Sequence, residues 1–192
     1  MASRLCKGTI IPLEFDLFVG MDVDKRSIAI TILDHYSFYK VLKMPYDPDA
    51  VVKYMKKHFP GKRISFAYES GPTGYGLHDR LLEAGYPCLV VASSMIPVAR
   101  GSRVKTNRLD SKKIAEGLRG GQLKGIRVPS SNYRALRHLT QLRNTFVRQC
   151  AANKCRIKAL LLVENLKFPE APPGSHWSKA VLHRIEMLER LS

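Results

Sequence analysis

Three acidic residues of this 192-residue chain stand in settings that suit chemistry better than solvation. Asp22 lies near the end of the apolar run "LFVGMDV" (17–23), and Glu69 near the end of "RISFAYES" (63–70). Asp110 interrupts "RVKTNRLDSKKIAEGL" (103–118), a stretch otherwise crowded with Lys and Arg. Carboxylates brought side by side repel one another and stay costly unless a cation lies between them. Such oxygen ligands suit Mg2+ or Mn2+. Paired ions of that kind activate a water or hydroxyl and stabilise the leaving oxygen in phosphodiester chemistry.

Each residue has a plainer reading beside this one. Asp22 can cap the turn together with Asp24. Glu69 can form a buried ion pair with Lys25 or Arg26, although a solvated Glu is unexpected between "FAY" and a glycine-rich bend. Asp110 occupies a good N-cap position, where its carboxylate accepts backbone N–H bonds of the following turn.

The elements that must position these groups are legible. "LFVGMDV" reads as a strand buried on both faces, and "SIAITILD" (27–34) as its hairpin partner across "DKR". "SFYKVLKM" (37–44) continues the meander. Asp49 is placed to cap a helix running to about His58, with Val51, Val52, Met55 and Phe59 on one face. "RISFAYES" is a fourth strand, "YGLHDRLLEAG" a helix closed by Gly85, and "YPCLVVAS" (86–93) a fifth strand. A meander followed by strand–helix–strand units implies parallel neighbours and right-handed crossovers. This is the α/β, ribonuclease-H-like order: a mixed five-stranded sheet flanked by helices. In it the first and fourth strands are neighbours, which brings Asp22 beside Glu69.

From about Asn132 to Leu166 there is neither proline nor glycine, and Leu136, Leu139, Leu142, Phe146, Cys150, Ile157 and Leu160 recur at helical spacing. This predicts one helix on the order of 50 Å long. Its stripe needs a partner, as in a coiled coil or helical hairpin, and Asn153 can set the register. "FPEAPPG" (168–174) reads as a stiff linker, and "SKAVLHRIEMLERLS" begins another amphipathic helix. The expected division is an extension over 1–15, an α/β domain over 16–129, the long helix over 130–167, and a linker with the start of a helical region over 168–192.

Thirty-two Lys and Arg against sixteen Asp and Glu leave a formal charge of +16. A surplus of that size favours a polyanion as partner. Between Arg100 and Lys167 there are seventeen basic and three acidic residues. A solvated helix face normally interleaves the two signs, so this band points to sequence-independent nucleic-acid binding. Aromatic residues are too sparse in it for a base-stacking platform. Cys6, Cys88, Cys150 and Cys155 form no C-x-x-C pair, which argues against zinc and for a reducing compartment. No signal peptide is evident, and the apolar run from Tyr86 to Val98 falls short of the roughly 20 residues a membrane span needs. A cytoplasmic protein with no membrane partner is expected. No P-loop, G-x-S-x-G or dinucleotide fingerprint occurs.

"VGMDVDKRSIAI", "YESGPTGYGLHDRLLEAGY" and "RVKTNRLDSKKIAEGLRGGQLKGIRVPS", in this order, resemble the N-terminal half of the insertion-sequence 110 family of transposases, which includes the Piv-type DNA invertases. The resemblance runs from about Phe18 to Pro129. It implies a RuvC-like domain of bacterial or archaeal origin with an Asp-Glu-Asp-Asp metal site, acting in DNA recombination. Asp22 matches the first acid, Glu69 the second and Asp110 the fourth. The third falls on Asn107, which offers a carbonyl oxygen but no charge. Arg103, Lys105, Arg108, Lys112 and Lys113 would then hold the phosphates that flank the cut. The resemblance further implies a coiled coil and a structured guide RNA encoded by the element, and the apolar stripe of the long helix leads to the expectation of a homo-oligomer formed through it. A C-terminal domain bearing a nucleophilic serine follows in that family, and the chain is expected to stop before it. Two other readings stand beside a transposase: a stand-alone RuvC-type nuclease, and a non-catalytic nucleic-acid-binding and dimerisation module.

Overall fold

The computed structural model describes residues 8–96, 107–172 and 176–188, without the side chains of Phe38, Tyr39 and 107–109. In chain order come β1 (Leu17–Val23), β2 (Ser27–Leu33), β3 (Phe38–Pro45), α1 (Pro48–His58), β4 (Ile64–Glu69), α2 (Gly76–Glu83), β5 (Cys88–Val91), α3 (Asn107–Arg119), α4 (Ser131–Val163) and α5 (Lys179–Leu188). The chain divides into two compact units, Met1–Val128 and Pro129–Ser192.

In the first unit the sheet order is β3-β2-β1-β4-β5. β1, β2 and β3 pair antiparallel, while β1–β4 and β4–β5 pair parallel. This is the ribonuclease-H-like, mixed five-stranded sheet flanked by helices that the element order predicts. Strand side chains alternate between faces, and the alternation sorts the core in two. Val19 and Met21 of β1, Ile28, Ile30 and Ile32 of β2, and Phe66 and Tyr68 of β4 pack under α1 and α2. Phe18, Leu33, Ala67, Leu89 and Val91 face the other way, against Ile114, Ala115 and Leu118 of α3.

The helix ends correct two sequence expectations. Asp47, not Asp49, caps α1, its Oδ1 accepting from the Asp49 backbone N–H at 2.8 Å. Pro48 then fills the first helical position, where a missing N–H costs nothing, and Asp49 takes a bond from Arg80 Nε at 2.6 Å. Asp110 is not an N-cap either: α3 begins at Asn107, which puts Asp110 in its first turn. There the helix dipole still favours a carboxylate. α2 ends as expected, Gly85 adopting φ +87°.

In the second unit α4 runs for 33 residues, about 50 Å. Ser130 caps it and Asn165, at φ 55°, ends it. The segment beyond returns along its last turns: the Phe168 and Trp177 rings meet edge-on at 5.2 Å, and Lys154 Nζ lies 5.5 Å from the Trp177 ring centre. Leu161 of α4 and Val181 of α5 are buried, whereas Leu136, Leu139, Leu142, Phe146 and Leu160 are all more than half exposed.

Candidate metal centre

The alternation that builds the core also selects the site. On β1, Phe18, Gly20 and Asp22 share the face covered by α3, and on β4 so do Ser65, Ala67 and Glu69. Met21 pairs with Tyr68 in the parallel β1–β4 ladder, so Asp22 and Glu69 are the next residues out along neighbouring strands. Both sit at the carboxyl ends of those strands, where open α/β sheets bind their ligands.

The third acid arrives on α3, and Gly20 makes that approach possible. A Cβ at Gly20 would stand 2.2 Å from the Ser111 carbonyl oxygen and 2.3 Å from the Ala115 nitrogen. Helix backbone therefore lies directly on strand backbone. A polar pair locks the contact: Thr31 and Ser111, both fully buried, share a hydroxyl–hydroxyl bond of 2.9 Å. Ser111 follows Asp110, so this bond sets where the carboxylate stands. Glycine inside a strand is the sequence signal for such close backbone approach. The sequence reading of β1 passed over it, and with it the roles of Thr31 and Ser111.

Electrostatics report the convergence. Burial, then Asp110, then Glu69, then Asp24 push the Asp22 carboxyl above the usual carboxylate range, and Lys43 opposes them weakly. Glu69 Oε1 accepts a hydrogen bond from Ser93 Oγ, just beyond β5. Ser93 replaces the ion pair with Lys25 or Arg26 that was open to Glu69. Asp24, rather than Asp22, serves the hairpin turn, its Oδ1 taking the Lys25 N–H at 2.7 Å. Among the described residues no three His, Cys, Asp or Glu side chains close into a ligand cluster. The donor set nonetheless fits a hard divalent cation: carboxylate oxygens on rigid elements, whose mutual repulsion a cation relieves.

The cations are only partly placed. Lys113 Nζ lies 3.5 Å from Asp110 Oδ1, and Lys112 Nζ 3.7 Å from Glu116 Oε1. Arg103 and Lys105 lie outside the described residues. Asn107 and Arg108 open α3 with side chains outside that description. On α4, seven Lys and Arg occur with no acid. No helix among the described residues is long and apolar enough to cross a membrane.

A family profile described as a transposase, of the DEDD insertion-sequence 110 type, matches residues 19–164. The chain belongs to the insertion-sequence 110 family of transposases. It is similar to a putative transposase, y4qE, of Sinorhizobium fredii (strain NBRC 101917 / NGR234), at 33% identity over 161 residues, covering 80% of this chain and 40% of the relative. It is also similar to the transposase for insertion sequence element IS1533 of Leptospira borgpetersenii, at 28% identity over 167 residues, covering 84% and 47%. The chain thus spans less than half the length of either relative. A solved structure of T. thermophilus RuvC in complex with a Holliday junction substrate matches 57% of this chain and 99% of its own, with a TM-score of 0.40 and 9% identity.

Proposed function

We propose that this chain is the metal-binding part of a DNA transposase. Asp22, Glu69 and Asp110 hold Mg2+ or Mn2+, and Asn107 contributes at most a neutral oxygen. The observation that carries this reading is the single-face convergence of β1, β4 and α3, with the Asp22 carboxyl raised by burial and by both other acids. The ions, when bound, supply charge for activating a nucleophile and stabilising the leaving oxygen in DNA strand cleavage and exchange. The chain's own residues orient them: Ser93 steadies Glu69, and Thr31 with Ser111 steadies Asp110. Arg103, Lys105, Arg108, Lys112, Lys113 and the acid-free α4 attract the phosphates of DNA and of a guide RNA. The exposed stripe of α4 fits a homo-oligomer, its apolar residues being covered by the same stripe of another copy. Both relatives bear the name of transposase, which accords with transposition.

A specific feature favours a second reading. Asn107, in place of a further carboxylate, suits a nucleic-acid-binding and dimerisation module with a reduced metal site.

Calorimetric titration of Mn2+ into this chain and its Glu69→Ala variant, with and without duplex DNA, tests the proposal. The variant should bind Mn2+ more than about 100-fold more weakly, beyond the usual effect of losing an outer-shell partner. Equal affinity in both, or no binding by the unmutated chain even with DNA, leaves the second reading in front.

A further inference from the structure

Lys43 stands in the same cross-strand row as Asp22. Asp22 pairs with Ala29 in the β1–β2 ladder, and Ala29 pairs with Lys43 in the β2–β3 ladder. Directly paired residues share a face, so Lys43 lies on the carboxylate face, two strand spacings or about 10 Å from Asp22. Its neighbours Leu42 and Met44 point to the opposite face and pack into the core under α1. Lys43 is exposed and makes no salt bridge among the described residues.

A second lysine of the same strand shows what an ordinary role looks like. Lys40 pairs with Ile32, on the other face, and its Nζ lies 5.6 Å from the Tyr54 ring centre. Lys40 is accounted for by packing. Lys43 is not, and the acids it faces lie too far along the row for a close pair. β3 is an edge strand, and a lysine there can simply deter edge pairing, but that role asks only for charge of either sign.

We infer that Lys43 is a phosphate-binding residue of the site, holding the nucleic-acid strand whose phosphodiester the Asp22, Glu69 and Asp110 ions would address. This rests on the metal-centre reading above. A cation on this flank has opposed duties. It weakens the attraction of the carboxylates for a divalent ion, and it strengthens the grip on DNA once the ion is present.

The test measures both quantities on the whole chain: Mn2+ affinity by calorimetry, and Mn2+-dependent binding of a random-sequence duplex DNA oligonucleotide across a salt series. Lys43→Met should tighten Mn2+ binding, weaken duplex binding roughly 3- to 10-fold, and reduce the salt slope by about 0.9, the value for one phosphate contact. Lys43→Glu should move both affinities further the same way, and Lys40→Met should move neither. Duplex binding and slope unchanged in Lys43→Met would overturn the inference. So would parallel loss of both affinities, which marks a structural role, or aggregation of Lys43→Met with duplex binding retained in Lys43→Glu, which marks an edge guard. Absence of Mn2+ binding in the unmutated chain is a separate outcome that removes the metal reading and this inference with it.

Discussion

The two units use the same apolar side chains in opposite ways. In the first, Leu81, Leu89 and Leu118 are buried between a sheet and its helices. In the second, Leu136, Leu139 and Leu142 stand more than half exposed along one side of α4. The first unit closes its core within itself because a five-stranded sheet offers two faces and the chain supplies helices for both. The second is dominated by one long helix, and the folded-back segment covers only its last turns. Helices in proteins owe most of their stability to packing of the apolar face. The comparison therefore separates a unit whose stability is its own from one whose exposed stripe calls for another surface.

The largest effect expected is that of Gly20→Ala. The added methyl would overlap the backbone of Ser111 and Ala115, so α3 must lift from β1. A loss of about 3–5 kcal/mol in urea unfolding, beyond the usual cost of overpacking, should accompany loss of Mn2+ binding because Asp110 moves away. Hydrogen exchange in α4 should be unchanged; slower or faster exchange there would break the division between the units.

A matched pair sharpens the contrast. Leu81→Ala, in the first core, should cost about 2–5 kcal/mol at any protein concentration. Leu142→Ala should alter unfolding of a dilute sample by no more than about 0.5 kcal/mol, yet weaken self-association in sedimentation. Equal unfolding costs at high dilution would mean that α4 is already covered within its own chain.

The smallest effect concerns the tie between the starts of β1 and β4. Arg63 donates to Asp16 from Nη2 at 3.0 Å and from its backbone N–H at 2.9 Å. These bonds hold the Asp16 carboxyl down at about 2, from 3.8. A folded value below the unfolded one contributes stability above about pH 4, lost as pH falls through about 2. Asp16→Asn should therefore unfold slightly more readily at pH 7, with the difference from the unmutated chain shrinking below about pH 4 and vanishing only below about pH 2. Both groups are substantially exposed, so the effect should also shrink in high salt. α4, with no acid among its 33 residues, should show no comparable titration.

Much of this was legible without coordinates. The bounds of β1 and the order of the five strands followed from runs of apolar residues between turn signals. The placement of Glu69 beside Asp22 followed from that order, since a meander leaves β1 free to pair with the first strand of the next unit. Capping was less legible. Asp47 and Asp49 both flank Pro48, and only the backbone shows which one stands outside the helix. Asp110 was misplaced for the same reason, because three further residues joined α3 ahead of it.

What the sequence determined by itself is what depends on neighbours along the chain: strand periodicity, the long helix and its stripe, and the concentration of positive charge. What only the tertiary structure decided depends on contacts between residues far apart in sequence. Thr31 and Ser111, eighty positions apart, meet through one buried hydrogen bond; Ser93 reaches Glu69 across the end of the sheet; Lys43 comes into line with Asp22 through the register of two ladders. The physical reason is that hydrophobic pattern is a property of local spacing, whereas a site is made where distant backbones approach closely, and here the absence of a single Cβ at Gly20 permits that approach.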